Sequence, residues 1–301
     1  MAEDFYTDKA AVRAAFDKAA ATYDAAAVLQ REVVERMLER LALIRLQPNI
    51  VVDAGCGTGY ALTGLKQQYP QAHTLALDLA PAMVRTALNK HSQTGLSSLF
   101  GLLDKQRPWP LCADIERLPL ADNSVDLIWS SLTLQWCNTP DQAFAEFQRV
   151  LKPGGLLMFA TLGPDTLKEL RTAFAGIDGH EHVNRFIDMH DLGDALVQQG
   201  FATPVMDMEY LTLTYQDAKS VMQDLKSIGA SNHMLGRRSG LLGKTAWQRV
   251  QAQYEPLRRD GKLPCTYEVV YGHAWKNERQ RPQGQRADGS QIIEFRPRPP
   301  R

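Results

Sequence analysis

"DAGCGTGY", residues 53–60, places glycine at 55, 57 and 59, directly after the apolar run Ile50, Val51 and Val52. Glycine at that density is costly in backbone entropy, so something must approach the main chain closely there. Further along, β-type runs recur at 49–53, 73–78, 110–114, 125–131 and 154–162, separated by segments of helix length. Pro81 suits the first position of a helix, and Lys-Pro-Gly-Gly at 152–155 stops the helix that begins near Pro140. Strands alternating with helices predict a parallel sheet with helices on both faces. Ahead of it, residues 8–47 read as Ala- and Leu-rich helices. After it come a helix near 188–199, a β-rich run at 206–215, helices near 217–228 and 243–257, and a strand at 266–276.

Two phosphate-binding turns fail on spacing. A dinucleotide turn, Gly-x-Gly-x-x-Gly, needs its third glycine where this chain has Tyr60. A P-loop needs a following Gly-Lys-Ser/Thr, which is missing. The pattern acid-x-Gly-x-Gly-x-Gly instead resembles the S-adenosylmethionine (SAM) loop of class I methyltransferases. SAM has no phosphate; it carries a sulfonium and an amino-acid end. Asp53 can meet the ammonium, while Gly55 and Gly57 let the backbone lie against the nucleoside. Asp78 ends the second strand, where a carboxylate can accept both ribose hydroxyls. Asp114 ends the third, placed for the adenine amino group, with Ile115 covering the base. All three acids fall at the carboxyl ends of strands, where open α/β sheets bind ligands.

Composition narrows the class further. The 301 residues are 44% hydrophobic, enough for a full core. Lys plus Arg and Asp plus Glu each number 34, so no global charge attracts nucleic acid or an anionic membrane. The N-terminus is polar and no apolar run approaches spanning length, which predicts a soluble, cytoplasmic protein. Cys56, Cys112, Cys137 and Cys265 lack any Cys-x-x-Cys spacing, which suits reduced thiols, and no metal-ligand grouping is present.

Up to about Lys276 the chain resembles one family, the malonyl-acyl-carrier-protein O-methyltransferases of biotin synthesis. The stretches that carry the resemblance are "FDKAAATYDAAAVLQ" (16–30), "DAGCGTGY", "SSLTLQWC" (130–137), "GPDTLKELR" (163–171), "HVNRFIDMHDLGDALVQQGF" (182–201), "DLKSIGASN" (224–232) and "YEVVYGHAWK" (267–276). The resemblance implies a Rossmann-like class I methyltransferase of the α/β class. Its seven-stranded, mostly parallel sheet would carry a helical cap over residues 1–48, a SAM-dependent domain over 49–276, and a helical insertion near 216–260. It also implies that Gln30, Cys56, Gly59, Leu79 and Ser130 complete the cofactor site. The implied reaction is methyl transfer from SAM, leaving S-adenosylhomocysteine, to the free carboxylate of a malonyl thioester on acyl carrier protein.

The chemistry of that step sets its own demands. A malonyl carboxylate is ionised at pH 7, so no general base is needed. Charges are neutralised as oxygen attacks the sulfonium methyl, so a water-poor site and in-line positioning favour reaction. Candidates for the orienting groups are Tyr23, Gln135, Trp136, His182, Arg185 and Phe186, with Arg185 expected to meet the carboxylate. Tyr23 and Trp136 have packing roles as the competing explanation, Arg185 a solvated one, and His182 reads better as structural than as a base. From Lys226 to Tyr254 no acid occurs, while Lys226, Arg237, Arg238, Lys244 and Arg249 do, a local patch suited to an acidic carrier protein. Residues 277–301 form a basic, Pro- and Arg-rich tail expected to lack regular structure. Two other readings stay open: a SAM-dependent methyltransferase of another small carboxylate or a quinone-type ring, and a SAM-binding regulator without turnover.

Overall fold

The computed structural model describes residues 6–91, 107–238 and 240–277. The tail expected over 277–301 lies, apart from Asn277, outside the described residues. Three helices lead the chain: α1 (Lys9–Ala19), α2 (Tyr23–Ala26) and α3 (Val28–Ala42). β1 (Ile50–Ala54), α4 (Tyr60–Gln68), β2 (His73–Asp78), α5 (Pro81–Lys90), β3 (Trp109–Cys112) and β4 (Val125–Ser131) follow. Then come a 3-10 turn at Leu134–Trp136, α6 (Pro140–Val150), β5 (Leu151–Leu162), α7 (Lys168–Phe174), α8 (Met189–Gln198) and β6 (Phe201–Tyr215). α9 (Ala218–Ser227), α10 (Lys244–Tyr254), a 3-10 turn and β7 (Leu263–Lys276) close the described chain.

The seven strands form one sheet in the order β3-β2-β1-β4-β5-β7-β6. The first five run parallel; β7 lies antiparallel to both β5 and β6. Strand residues alternate between two cores. Val51, Leu127, Leu156 and Met158 join Val33, Met37 and Leu41 of α3 and residues of α7, α9 and α10. Their neighbours Val52, Ile128, Leu157 and Phe159 join Phe144 and Phe147 of α6 and Leu192 and Leu196 of α8. That period of two on strands apolar at nearly every position is why the sheet is covered on both faces.

Several boundaries differ from the sequence reading. β5 starts at Leu151, so Lys-Pro-Gly-Gly lies inside the strand rather than ahead of it. Gly154, at φ +77°, and a register shift between Val125 and Leu127 absorb the irregularity. β3 ends at Cys112, so Asp114 sits two residues past the strand instead of closing it. The strand read at 206–215 begins at Phe201, and α7 is a helix the sequence reading did not contain.

Gly272 of β7 lies against the buried Phe159 ring, and a Cβ there would overlap that ring and crowd Met206. Gly272→Ala should therefore cost about 1–3 kcal/mol through overpacking. Thermal denaturation checks this; an unchanged midpoint would mean the Phe159 ring has room to move.

Candidate active site

The site is built on the first βα turn. Gly55 and Cys56 both donate their N–H to the Leu77 carbonyl at 2.8 Å, and Gly57 donates to Asp78 Oδ2 at 2.9 Å. Gly55 has φ +90°, and a Cβ there would overlap the Thr133 side chain. Only glycine satisfies both conditions. Gly59 serves helix packing instead, since a Cβ would lie 2.8 Å from Ala87 Cβ on α5.

Three adjoining cavities open around this turn. One, of about 80 Å³, is lined by Gly55, Gly57, Asp78, Leu79, Asp114 and Ile115, and suits a nucleoside. A second, of about 50 Å³, lies against Asp53, Cys56, Gln30 and Ser131. A third, of about 220 Å³, is walled mainly by Leu29, Leu132, Leu162, Leu170, Phe174 and Phe186. Tyr23 lines all three.

Two orphaned acceptors test whether SAM fits. Asp53 Oδ2 and Gln30 Oε1 are buried without hydrogen-bond partners, and both residues border the second cavity. Unpaired buried acceptors call for a donor, ideally a cation, and the ammonium of SAM is one. Burial, helped by the charge of Asp78, pushes the Asp53 carboxyl up to about 8. Burial likewise lifts Asp78 to about 6, against the bonds from the Ala80 and Gly57 N–H groups. Those bonds use one lone pair on each oxygen and leave capacity for sugar hydroxyls.

Other expected residues are placed less simply. Both Asp114 oxygens accept from Lys9 Nζ, at 2.9 and 2.8 Å, and Lys9 also pairs with Glu116. The carboxylate expected to meet an adenine amino group is thus engaged by a cap lysine that the sequence reading passed over. Ser130 is fully buried and donates to the Ala54 carbonyl at 3.0 Å, so it faces the sheet interior. Ser131, one residue on, borders the cofactor cavities in its place.

On the acceptor side, Trp136 borders both the nucleoside and acceptor cavities and packs edge-on against Phe16 at 5.3 Å. Gln135 lines the acceptor cavity with its amide spent on the Leu132 carbonyl at 2.8 Å and on Thr161 at 3.3 Å. Leu132 has φ +51°, a backbone conformation a branched side chain rarely adopts, stored where the cavity wall turns. His182 lines the wall, stacks on Phe174 at 4.2 Å and bonds Asp178 at 2.9 Å. Burial opposes ionisation of Asp178, but the His180 N–H, His182 and Arg238 outweigh it and hold its carboxyl well below the usual range. Arg185 is exposed, pairs with Glu181 at 3.0 Å and does not line the cavity; its neighbours Asn184 and Phe186 do. A charged guanidinium finds its partner at the surface, leaving the apolar wall to neutral groups.

A family described as "Methyltransferase domain" matches residues 52–159. A malonyl-acyl-carrier-protein O-methyltransferase of Laribacter hongkongensis is 61% identical over 301 residues, covering all of both chains. A protein of the same name from Methylovorus is 57% identical over 99% of this chain and 98% of its own. Among solved structures, a chain from Bacillus halodurans matches with TM-score 0.54 and 16% identity, over 80% of this chain and 97% of its own. A SAM-dependent methyltransferase from Thermotoga maritima matches with TM-score 0.50 and 16% identity, over 88% and 100%. These two share the fold. No group of three or more potential metal ligands occurs among the described residues.

The raised acids fix a pH dependence. Because their folded values exceed about 4, the stability they contribute is complete below that value and is lost as pH rises through about 6 and about 8. The ligand-free protein should lose stability across that window. Binding of S-adenosylhomocysteine should strengthen over the same rise and release protons, read by calorimetry in buffers of different ionisation heat. Asp53→Asn should weaken binding about ten- to hundredfold by removing a charge-assisted bond.

Proposed function

The chain belongs to the malonyl-acyl-carrier-protein O-methyltransferase family, and on that premise we propose that it moves a methyl group from SAM to the free carboxylate of a malonyl thioester on acyl carrier protein. The ester would mask the charge and let the acyl group pass as an apolar primer towards biotin. The observation that supports this most is the apolar acceptor cavity meeting the cofactor cavities at Tyr23. No helix among the described residues is long and apolar enough to cross a membrane, in keeping with work in the cytoplasm on a carrier protein.

Asp53 and Gln30 would hold the amino-acid end of the cofactor, Asp78 its sugar, and Asp114 with Ile115 its base. When bound, SAM supplies an electrophilic methyl group on a positively charged sulfur. The leucine and phenylalanine walls exclude water from the carboxylate, which strengthens its attraction to positive charge. Burial, with the charges of Asp78 and Asp24, pushes the Tyr23 phenol far above its ordinary range, so it keeps its proton. A neutral hydroxyl donor at the junction orients one carboxylate oxygen without the tight pairing that would blunt the other. His182, committed to Asp178, holds the wall and takes no proton.

The reading is tested by mass spectrometry. Malonyl-carrier protein should gain one methyl group in the presence of SAM, and acetyl-carrier protein, lacking the free acid, none. Methylation of an aromatic or quinone-type acceptor, with malonyl thioesters untouched, would favour the first alternative. Cofactor binding without transfer to any acceptor would favour a regulator.

Docking of the carrier is assigned to the basic stretch between Lys226 and Arg249. Arg237 and Arg249 bond backbone carbonyls, and Arg238 bonds Asp178 at 2.9 Å, so reversing Arg238 would disturb the cavity wall as well. Lys244, exposed at the start of α10, and Lys226, at the cavity rim, are cleaner probes. Lys244→Glu should raise KM for carrier-bound substrate about tenfold at low salt and barely affect a small malonyl thioester. Equal effects on both substrates would remove the docking role.

A further inference from the structure

Several of the polar groups around the acceptor cavity are already bonded. Gln135 is held by Leu132 and Thr161, and His182 by Asp178. Asn232 donates Nδ2 to the Glu181 carbonyl at 2.7 Å and accepts the Met234 N–H at 2.9 Å. Two amides differ: Gln30 and Asn184 both line this cavity with a buried side-chain oxygen that lacks a hydrogen-bond partner, and Gln30 also borders a cofactor cavity whereas Asn184 does not. Leaving a buried amide oxygen unpaired costs about 1–3 kcal/mol, which turning the side chain outward would relieve. The Asn184 segment is nonetheless fixed in place by the bonds to Glu181 and His182 on one side and by buried Val183.

The layout of the cavity says which part of a substrate reaches this oxygen. Tyr23 and Trp136 border both the acceptor and nucleoside cavities and so mark the inner end, where the methyl group is delivered. Phe174, His182 and Val183 border the acceptor cavity and a further one at Gly176–Gly179 but neither cofactor cavity, which sets them apart from the cofactor side. Asn184 follows His182 and Val183 and lines neither cofactor cavity. At neutral pH a malonyl group carries only acceptor oxygens. It offers Asn184 Oδ1 nothing. The first N–H beyond the thioester sulfur belongs to the amide of the pantetheine-type arm.

We infer that Asn184 is a specificity-determining residue whose side-chain oxygen accepts the hydrogen bond of that arm amide. The inference rests on the malonyl thioester reading and deepens it: Tyr23 orients the acid, and Asn184 reads the arm that carries it. The contact selects amide-bearing thioesters over plain alkyl ones.

The test compares kcat/KM for malonyl N-acetylcysteamine thioester, which keeps the amide, with malonyl butyl thioester, which lacks it. The wild-type protein should prefer the first, and Asn184→Leu should shrink that preference about tenfold. Asn184→Asp, which still accepts, should retain it. Calorimetry with S-adenosylhomocysteine confirms that each variant keeps its fold; Asn184→Ala replaces the leucine variant if that one fails to fold. Turnover with an unchanged ratio in the leucine or alanine variant overturns this inference alone. So does loss of turnover on both thioesters in Asn184→Asp, since that places the carboxylate, not the arm, beside Asn184. A wild-type protein that methylates no malonyl thioester overturns the reading beneath it too.

Discussion

The bond from the Gly57 N–H to Asp78 ties the first βα turn to the end of the neighbouring strand, and the rest of the site hangs from it. With Gly55 and Cys56 held by the Leu77 carbonyl, the turn cannot move without moving β2. This brings buried Asp53 and half-buried Asp78 to one turn, where desolvation raises both, helped at Asp53 by the charge of Asp78 and at Asp78 by that of Asp17. Holding both acids there costs the ligand-free fold stability as pH rises, at residues that border the two smaller cavities.

Much of this was legible before any coordinates. The glycine spacing, the apolar run ahead of it and Asp78 closing the next strand identify the cofactor half, because each is imposed by local backbone geometry. The acceptor half is written less plainly. Ser130 and Ser131 differ only in which way the last residue of a strand points, and the residue at the very end of β4 is the one that borders the cavities. Arg185 drew attention because charge is conspicuous in a sequence, yet solvation draws it outward to Glu181. Asn184 was inconspicuous, and its significance lies in an unpaired atom that no sequence displays. Asp114 stood out in the sequence, but its partner Lys9 is more than a hundred residues away in the chain.

The cover over the site is one interlocked piece. The Thr7 N–H donates to Asn138 Oδ1 at 2.7 Å, the Asn138 amide returns to the Thr7 carbonyl at 3.0 Å, and Thr7 bridges Met234. The Asp8 N–H donates to the His233 carbonyl at 2.9 Å, while its carboxylate caps α1. Two residues, Thr7 and Asp8, thus join the start of the chain to the loop after β4 and to the segment after α9. Trp136, between Phe16 and His233, fills the space they enclose.

Lys9 gives that closure a thermodynamic meaning. One carboxylate, Asp114, receives both the cap lysine and the edge where a purine would rest. Occupancy of that edge and seating of the first helix are consequently linked functions: the free energy by which either alters the other is the same in both directions. A purine that drew Asp114 away from Lys9 would loosen the first helix, and a seated Lys9 would weaken the purine's hold by the same amount.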